Sequence, residues 1–404
     1  MKKTLTLSGI TLAAALVLAA CGEAPDEETD ADSEAPADTG GDTGEDTGEA
    51  GSEAGSEAGS EAGSESGSEA APGGGSGDGA DTTACMVSDQ GGYDDQSFNQ
   101  SGAEGLEAAV EEFGVQTILV ESQTDADYTT NVNSLISQGC NLVFGVGFLL
   151  ENAIEQAANE NPDVSFALID SAFETDDFEP VELENGRPLI FDTVQAAYLA
   201  GYASAGMSET GVVATFGGIQ LPSVTIFMDG FAMGVDAYNE DNGTEVAVLG
   251  WDEEAQQGSF TGDFEDQGQG QTLADQFIAQ GADVIMPVAG PVGLGAAAAA
   301  EAAGDVMIVG VDSDWYESTD YGSIILTSVL KEIGQSVQDT VGDYVNDEFD
   351  NEPYVGTLEN GGVSIAPFHD FEADVPSELV DRLAEIEEQI ISGELVVESV
   401  SSPQ

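Results

Sequence analysis

The sequence predicts an α/β protein built from two doubly wound parallel-sheet lobes that face each other across a hinged cleft. Three observations lead to this fold class. Short apolar runs typical of buried strands alternate with segments of helical periodicity. This alternation occurs in two successive rounds, and later segments then return to complete both lobes. Alternating strands and helices form parallel sheets with helices on both faces, so two joined halves of this kind enclose a cleft.

The first 21 residues are predicted to be a signal peptide rather than part of this fold. Lys2 and Lys3 form a short basic region, and the apolar stretch over 5–20 that follows is too short to span a membrane. The run LAAC that ends at Cys21 resembles the lipobox of exported bacterial lipoproteins. We therefore expect lipid chains on Cys21 that hold the protein on the extracytoplasmic face of the cell membrane. A cysteine that merely follows a signal peptide is the alternative.

Residues 22–82 are predicted to form a disordered acidic tether. The segment consists almost wholly of Glu, Asp, Gly, Ser and Ala, and a GSEA unit repeats from Gly51 to about Ala70. A chain with uniform charge and few large apolar residues cannot bury a core. Such a tether has an r.m.s. reach of roughly 40 Å, which would hold the folded part off the membrane surface.

The two lobes occupy the rest of the chain. The N-terminal lobe is expected over 83–200, completed by part of 310–370, and the C-terminal lobe over 201–310, completed by part of 325–404. Strands are predicted at 85–87, 115–120, 141–146 and 164–169 in the first round, and at 212–216, 246–251, 284–287 and 306–311 in the second. Helices are predicted at 97–113, 128–137, 154–159, 196–207, 223–238, 269–280, 294–303, 331–344 and 376–391.

Each helix is identified by the spacing of its apolar residues and by its ends. Leu106, Val110 and Phe113 follow the helical period after the first strand, and Val132 does so after the second. Gly281 closes a later helix as its C-terminal cap. Periodic segments bounded in this way distinguish helices from the short apolar runs of the strands.

The composition excludes one class of partner. The formal net charge is -74, and Lys and Arg together number only 5 among 404 residues. Binding to nucleic acid requires basic side chains that neutralise phosphates, so we expect no nucleic-acid partner. The acidic surface has two interpretations that the sequence leaves open, namely solubility through self-repulsion and adaptation to high salt.

Two cysteines remain for the folded part. Cys85 and Cys140 lie near the starts of the first and third strands, which are neighbours in a sheet of order 2-1-3. Disulfides persist in exported proteins, so we expect a Cys85–Cys140 disulfide, with two buried free thiols as the alternative. Their wide separation and the single histidine, His369, argue against a zinc site, and we expect no metal.

Polar and glycine residues follow several predicted strands, at the sheet edge where ligands bind in α/β folds. They are Asp89, Gly147, Asp170, Gly290 and Asp312. A single aspartate at a strand end is usually a turn former. Several around one cleft indicate a site in which carboxylates accept hydrogen bonds from ligand hydroxyls.

Aromatic and basic residues near the same loops extend this candidate site. Phe98 and Phe264 lie in polar loops and could stack on a planar ligand, although a core role is the alternative for each. Lys331 is one of the few basic residues and follows an apolar run. The sequence contains no GxSxG, P-loop or HExxH motif, so it gives no sign of a catalytic nucleophile, and we expect no cofactor.

Several segments together resemble the basic membrane protein (BMP) family of lipoproteins, the purine nucleoside receptor A-like group of ABC-transporter substrate-binding proteins. These segments are MVSDQGGYDDQSFNQSGAEGL, GVGFLLENAI, PDVSFALID, YLAGY, QGADVIMPVAGPVGLGAAAAA, GVDSDWY, LTSVLK and NGGVSIAP, which span about 84–368 in the family's order. The resemblance implies a type I periplasmic-binding-protein fold with a nucleoside, expected to be a purine nucleoside, between the lobes. It also implies a permease and its ATPase as partners; a monomer is expected.

The resemblance also implies roles for individual residues. Phe98 and Phe264 match base-stacking aromatics, with Phe260 as a competitor for the second position. Asp170 matches a carboxylate that contacts the base, and Gly290 lies at a ligand-facing turn. Asp89 and Asn99 belong to the family's first-loop motif. Asp312 and Lys331 match residues that contact the ribose, and Asp314 is the alternative to Asp312.

Three rival functions remain at this point. One is a binding protein for another small polar ligand such as a sugar, and another is a signalling receptor on a long tether. The third is an enzyme, a nucleoside hydrolase, for which clustered carboxylates at Asp89, Asp94 and Asp95 are the one indication.

Overall fold

The structure is a computed structural model that describes residues 79–174 and 180–403. The signal peptide with Cys21 predicted at 1–21, and the tether predicted at 22–82 apart from its last residues, lie outside the described residues. Within the described ranges, no helix combines the length and apolar character needed to cross a membrane.

Strands and helices alternate along the chain. The strands are β1 Thr83–Val87, β2 Gln116–Val120, β3 Leu142–Val146, β4 Ser165–Ile169, β5 Gly186–Phe191, β6 Val212–Gly217, β7 Ala247–Leu249, β8 Trp251–Asp252, β9 Gln257–Gly258, β10 Val284–Val288, β11 Met307–Asp312, β12 Ile325–Lys331, β13 Tyr354–Gly356 and β14 Val363–Ile365. The helices are α1 Phe98–Phe113, α2 Tyr128–Ser137, α3 Glu151–Glu160, α4 Val194–Met207, α5 Pro222–Asn242, α6 Gln267–Ala279, α7 Val292–Ala303, α8 Trp315–Ser318, α9 Ile333–Val345 and α10 Ser377–Ile391.

Two six-stranded sheets form the centres of two lobes. Lobe 1 contains the sheet β13-β5-β4-β3-β1-β2, in which every pairing is parallel. Lobe 2 contains the sheet β14-β12-β11-β10-β6-β7, which is parallel except for β14. The central strands are buried on both faces, as expected when helices cover both sides of a parallel sheet. The α/β fold with two parallel-sheet lobes is confirmed.

The strand predicted at 246–251 is interrupted in the structure. β7 ends at Leu249, and Gly250 adopts a φ of 86° before the β8–β9 hairpin. A Cβ at Gly250 would stand 2.1 Å from the backbone oxygen of Thr215, so this turn requires glycine.

Helix α4 packs in lobe 2 rather than in lobe 1. It contacts α5, β12 and β14, and a Cβ at Gly201 would stand 2.0 Å from the backbone oxygen of Phe231 on α5. The glycine therefore allows the two helix backbones to approach closely. The chain leaves lobe 1 after β5, near Asp192, so the lobe boundary expected at residue 200 falls inside α4.

The chain crosses between the lobes again after β12 and after β13. Helix α9 packs against α1 in lobe 1, and β13 pairs with β5 there, whereas β14 returns to lobe 2. Arg187 of β5 forms ion pairs with the part of the chain that returns to lobe 1. Its guanidinium lies 2.6 Å from Asp343 Oδ2 and 2.8 Å from Asp350 Oδ1. Both lobes are therefore built from segments distant in sequence.

Cys85 and Cys140 form a disulfide in lobe 1. Cys85 lies in β1, Cys140 directly precedes β3, and their Cα atoms are 6.0 Å apart. The strand order β2-β1-β3 that motivated this pairing is the order observed. The link therefore ties two adjacent strands at the end opposite the cleft.

Candidate functional site in the interlobe cavity

A cavity of about 70 Å³ lies between the lobes, where strands of both sheets end. All of the ligand-contact residues expected from the sequence line this cavity: Asp89, Phe98, Asn99, Gly147, Asp170, Phe264, Gly290, Asp312 and Lys331. The fold thus brings together residues that are widely spaced in the chain.

The loop between β1 and α1 holds two buried carboxylates around one amide. Asn99 Nδ2 donates to Asp89 Oδ1 at 2.8 Å and to Asp95 Oδ2 at 3.2 Å. Asp95 also accepts hydrogen bonds from three backbone N–H groups at the start of α1, which fixes this helix end. The remaining amide atom, Asn99 Oδ1, is buried and has no hydrogen-bond partner among the described residues.

Asp89 is easily protonated for an aspartate. Burial raises its pKa to about 6; the hydrogen bonds from Asn99 and Gly91 oppose this rise, and the charges of Asp95 and Asp312 add to it. Asp89 Oδ1 receives both hydrogen bonds, whereas Asp89 Oδ2 receives none within the described ranges. The free oxygen belongs to a cavity-lining side chain and is available to a ligand.

One aromatic side chain from each lobe lines the cavity. Phe98 opens α1 in lobe 1, and Phe264 precedes α6 in lobe 2. Gly147 leaves space beside Phe98, because a Cβ there would stand 3.3 Å from Phe98 Cε1 and 3.2 Å from Asp89 Oδ2. Phe264 packs closely on Gly218, where a Cβ would be 2.4 Å from its ring. The two glycines therefore allow the rings to occupy these positions.

Lys331, the last residue of β12, connects the lobes. Its Nζ lies 2.6 Å from Asp170 Oδ2 of lobe 1 and 3.2 Å from Asp312 Oδ1 of lobe 2. Nζ is also 4.6 Å from the ring centroid of Phe227 and 5.5 Å from that of Phe98. Burial lowers the pKa of Lys331, but the two carboxylates more than compensate and raise it above its usual value, so the ammonium group stays charged.

Both carboxylates that contact Lys331 lie on unusual backbone. Asp170 has a φ of 61° and Asp312 a φ of 67°, in the left-handed region that non-glycine residues rarely adopt. Each stands at the end of a parallel strand, where this conformation turns the chain sharply. Strained backbone is commonly retained at functional sites, and both of these carboxylates pair with Lys331.

Direct hydrogen bonds between the lobes lie next to these carboxylates. Ser97 Oγ donates to the backbone oxygen of Val311 at 2.9 Å, and Ser313 Oγ donates to that of Gln96 at 3.0 Å. With the Lys331–Asp170 ion pair, they close the cleft on this side.

The structure separates the competing candidates. Phe260 packs edge-on against Trp251, with ring centroids 6.0 Å apart, and is absent from the cavity lining. Asp314 accepts from the backbone N–H of Tyr316 at the start of α8 and lies 2.7 Å from His369 Nε2. Phe264 and Asp312 are therefore the members of each pair that reach the cavity.

Sequence reasoning did not identify some lining residues. Phe227 lies in an apolar stretch of α5 that reads as core, and Ser223 lies in the first turn of the same helix. The position of α5 could have indicated these two residues, because the helix follows a strand that ends at Gly217-Gly218 and its first turns therefore lie near the cleft. In the sequence, Asp95 forms a carboxylate cluster with Asp89 and Asp94 that could suggest a metal site. Within the described ranges, however, no group of three or more His, Cys, Asp or Glu side chains could hold a metal ion.

Comparisons with known proteins agree with this geometry. A sequence model of the family described as ABC transporter substrate-binding protein PnrA-like (Bmp) matches residues 82–401. The ABC transporter nucleoside-binding protein BmpA of Lactococcus lactis subsp. cremoris is 31% identical over 338 residues, which cover 79% of this chain and 90% of that protein. Basic membrane protein A1 of Borrelia garinii subsp. bavariensis is 28% identical over 311 residues, with 76% and 86% covered.

Solved structures show the same fold. An ABC transporter solute-binding protein from Aeropyrum pernix K1 superimposes with a TM-score of 0.70 at 25% identity, covering 78% of this chain and 94% of that one. One from Conexibacter woesei DSM 14684 gives 0.61 at 23% identity, covering 80% and 100%. Together with the match to the family model, these likenesses confirm the type I periplasmic-binding-protein fold. The chain therefore belongs to the PnrA-like family of ABC transporter substrate-binding proteins, whose members are solute-binding proteins rather than enzymes.

Proposed function

We propose that this chain captures a nucleoside in the interlobe cavity and presents it to the permease and ATPase of an ABC importer. The observation that carries this proposal is that Phe98 and Phe264, one from each lobe, line a cavity that is also lined by several carboxylates and by Lys331. Aromatic faces suit a planar base, and carboxylates suit the hydroxyls of a ribose. The Lactococcus relative is named as a nucleoside-binding protein, which supports the same ligand class.

The ribose is proposed to contact Asp312 and Lys331. An ammonium group has three donors, and two of those on Lys331 face Asp170 and Asp312, which leaves one for a ligand oxygen. Asp170 Oδ2 is engaged by Lys331, so Asp170 Oδ1 is the oxygen proposed to contact the base. Gly147 and Gly290 provide room at the two strand ends.

Ligand capture is proposed to involve closure of the two lobes about their crossing segments. Residues on both sides of the cleft contribute to the site, so the complete set of contacts forms only when the lobes are together. No bond of the ligand is made or broken. We also propose that the protein acts as a monomer and that acylated Cys21 anchors it to the extracytoplasmic face of the membrane, with the acidic segment as its tether.

Calorimetric titration tests the ligand class. The full chain carrying Cys21→Ala, which cannot be acylated, would be titrated with guanosine, inosine, adenosine, uridine, ribose and free adenine at low and high salt. We expect nucleosides to bind much more tightly than the base or ribose alone, because each half of a nucleoside makes separate contacts. Binding of ribose or another sugar alone would favour the sugar-binding alternative. Absence of heat with every nucleoside, from protein shown to be folded, would refute the proposal.

A further inference from the structure

A turn that follows α10, Ser399–Ser402, lies at the junction of the two lobes, and we call it the serine turn. The N–H of Ser402 donates to the backbone oxygen of Ser399 at 3.1 Å, which closes the turn. Helix α10 packs against α4 of lobe 2. The serine turn also borders a second cavity, which is lined by lobe 1 residues such as Pro188 and Asn351 as well. It therefore belongs to lobe 2 and lies beside lobe 1.

Two hydroxyl groups of the serine turn are oriented by the turn itself. Ser399 Oγ accepts a hydrogen bond from the N–H of Ser401 at 2.9 Å, and Ser402 Oγ accepts one from the N–H of Ser399 at 3.1 Å. A hydroxyl has a single proton, which each group directs to a carboxylate. Ser399 Oγ donates to Asp229 Oδ2. Ser402 Oγ donates to Asp192 Oδ1 at 3.1 Å, so the turn links two carboxylates that are distant in sequence.

Asp229 connects the serine turn to α5 and to the β8–β9 hairpin. Its side chain is fully buried, and its Oδ1 accepts from Trp251 Nε1 at 2.8 Å and from Gln256 Nε2 at 2.9 Å. A buried carboxylate needs donors in place of water, and Ser399 supplies the donor to the other oxygen. These contacts fix the serine turn on lobe 2.

Helix α5 also forms part of the interlobe cavity. Thr225, in its first turns, has its Oγ1 2.9 Å from Ser401 Oγ of the serine turn. Ser223, Val224 and Phe227 of the same helix line the cavity. A movement of α5 relative to lobe 1 would therefore displace the cavity wall and the serine turn together.

Asp192 stands at the edge of lobe 1, where the chain first crosses to lobe 2. Its N–H donates to the backbone oxygen of Gly356 at 2.8 Å, next to the pairing of β5 with β13. Its Oδ2 accepts from Gln195 Nε2 of α4 at 2.6 Å, and its Oδ1 accepts from Ser402. Both oxygens of this lobe 1 carboxylate are therefore held by side chains of lobe 2.

We propose that the serine turn holds Asp192 of lobe 1 against α5 of lobe 2, and that it thereby favours the closed arrangement of the lobes and slows release of the ligand. Asp192 is bound into the lobe 1 sheet and the turn is bound to lobe 2, so their hydrogen bond forms at one relative orientation of the lobes. Ser402 is a positioning residue, because it does not line the interlobe cavity. The effect on ligand release rests on the proposed function, whereas the effect on the lobes does not.

The expected effect is that of losing one hydrogen bond. A hydrogen bond to a charged group typically shifts an equilibrium by about 10-fold or more, and Asp192 is partly exposed, which favours the lower end. Ser402→Ala should therefore lower the ratio of closed to open lobes by about 10-fold. The dissociation rate of a nucleoside should rise by a similar factor, because release requires opening of the lobes.

Distances between spin labels report the arrangement of the lobes without a ligand. Glu107→Cys on α1 and Asp275→Cys on α6 would place one label at an exposed position of each lobe, in the full chain carrying Cys21→Ala. Cys85 and Cys140 form the disulfide and take no label. Pulsed electron paramagnetic resonance then gives the distribution of distances between the lobes.

Three variants are compared in this labelled protein. Ser402→Ala removes the hydroxyl, and Ser402→Thr keeps it. Ser392→Ala is the matched control, since it removes an exposed hydroxyl that donates to the backbone oxygen of Gln389 at 3.2 Å, at the end of α10. In the unlabelled proteins, stopped-flow measurement gives the dissociation rate of inosine, and denaturation confirms that each variant is folded.

The inference predicts more open distances and faster inosine release in Ser402→Ala, with Ser402→Thr and Ser392→Ala close to the unsubstituted protein. Identical distance distributions in Ser402→Ala and the unsubstituted protein would overturn it, as would the same change in Ser392→Ala. More open distances with an unchanged release rate would overturn the part that concerns the ligand. If no nucleoside binds the folded protein, the proposed function is wrong, and the distance distributions alone decide whether the serine turn holds the lobes together.

Discussion

Substituting Asp89 by Asn should make the protein more stable at neutral pH. Burial raises the pKa of Asp89 from its ordinary 3.8 to about 6. Each pH unit of displacement is worth about 1.36 kcal/mol, so ionised Asp89 costs the native state about 3 kcal/mol. The amide of Asn has the same shape, carries no charge, and keeps a carbonyl oxygen for the hydrogen bonds from Asn99 and Gly91.

The sign of the pH dependence follows from proton linkage. Between about pH 4 and pH 6, the native carboxyl of Asp89 holds its proton while the unfolded one has lost it, so the native state binds more protons. The contribution of Asp89 to the free energy of unfolding therefore falls as the pH rises from about 4 to 6. Above pH 6 the destabilisation of about 3 kcal/mol remains constant. The advantage of Asp89→Asn should be near zero at pH 4 and should reach about 3 kcal/mol by pH 7.

Urea denaturation at several pH values, in buffer of constant high salt, measures this difference directly. Carboxylates distant from Asp89 contribute equally in both proteins, so their contribution cancels in the comparison. Asp94→Asn is the control, since Asp94 is exposed and its change should produce no such pH-dependent gain. A stability difference between Asp89→Asn and the unsubstituted protein that stays constant from pH 4 to pH 7 would refute the reasoning.

Three further predictions concern the site and the disulfide. Phe98→Ala and Phe264→Ala should each weaken nucleoside binding by about 1–3 kcal/mol in calorimetry, if the rings stack on the base. Lys331→Met should destabilise the protein by about 3–5 kcal/mol at pH 7, measured by denaturation, because it leaves two buried carboxylates without their cation. The loss should shrink at low pH, because burial raises the pKa of Asp170 to about 6 and its protonated carboxyl no longer needs the cation. Replacing Cys85 and Cys140 together by Ser should cost about 4 kcal/mol, the loop-closure value for a sequence separation of 55.

Each of these predictions has a contradicting outcome. Unchanged affinity in both phenylalanine variants would remove the stacking arrangement. A Lys331→Met protein as stable as the original would mean that the ion pairs contribute nothing net. A reductant that leaves the denaturation midpoint of the original protein unchanged would argue against the disulfide.

Much of the fold was predictable because its signals are local. Apolar runs of strand length between helical segments identify the alternation, and the glycine pair Gly217-Gly218 identifies the end of β6. Strand-end residues such as Asp170 and Asp312 could be assigned to one cleft, because parallel strands end at the same edge of a sheet. The interruption at Gly250 was missed, since its cause is the approach of a distant backbone oxygen.

The remaining features of the site depend on contacts between distant residues. Lys331 could be noticed as a rare cation, but its two carboxylate partners belong to different lobes and become evident only in three dimensions. The orientation of the Asn99 amide depends on Asp89 and Asp95 together. Phe227 reads as an ordinary core residue, because nothing in its neighbourhood along the chain distinguishes a cavity wall from a helix interface.

The segmented construction of lobe 1 has a consequence for biogenesis. Arg187 contacts Asp350 across a sequence separation of 163 residues, and β13 completes the edge of a sheet whose other strands end at Phe191. When the chain is synthesised from its N-terminus, the first sheet emerges with an unpaired edge until most of lobe 2 has followed. High contact order of this kind slows folding and prolongs exposure to proteases and to aggregation. The yield of folded protein should therefore be sensitive to substitutions near Tyr354, which does not line the cavity.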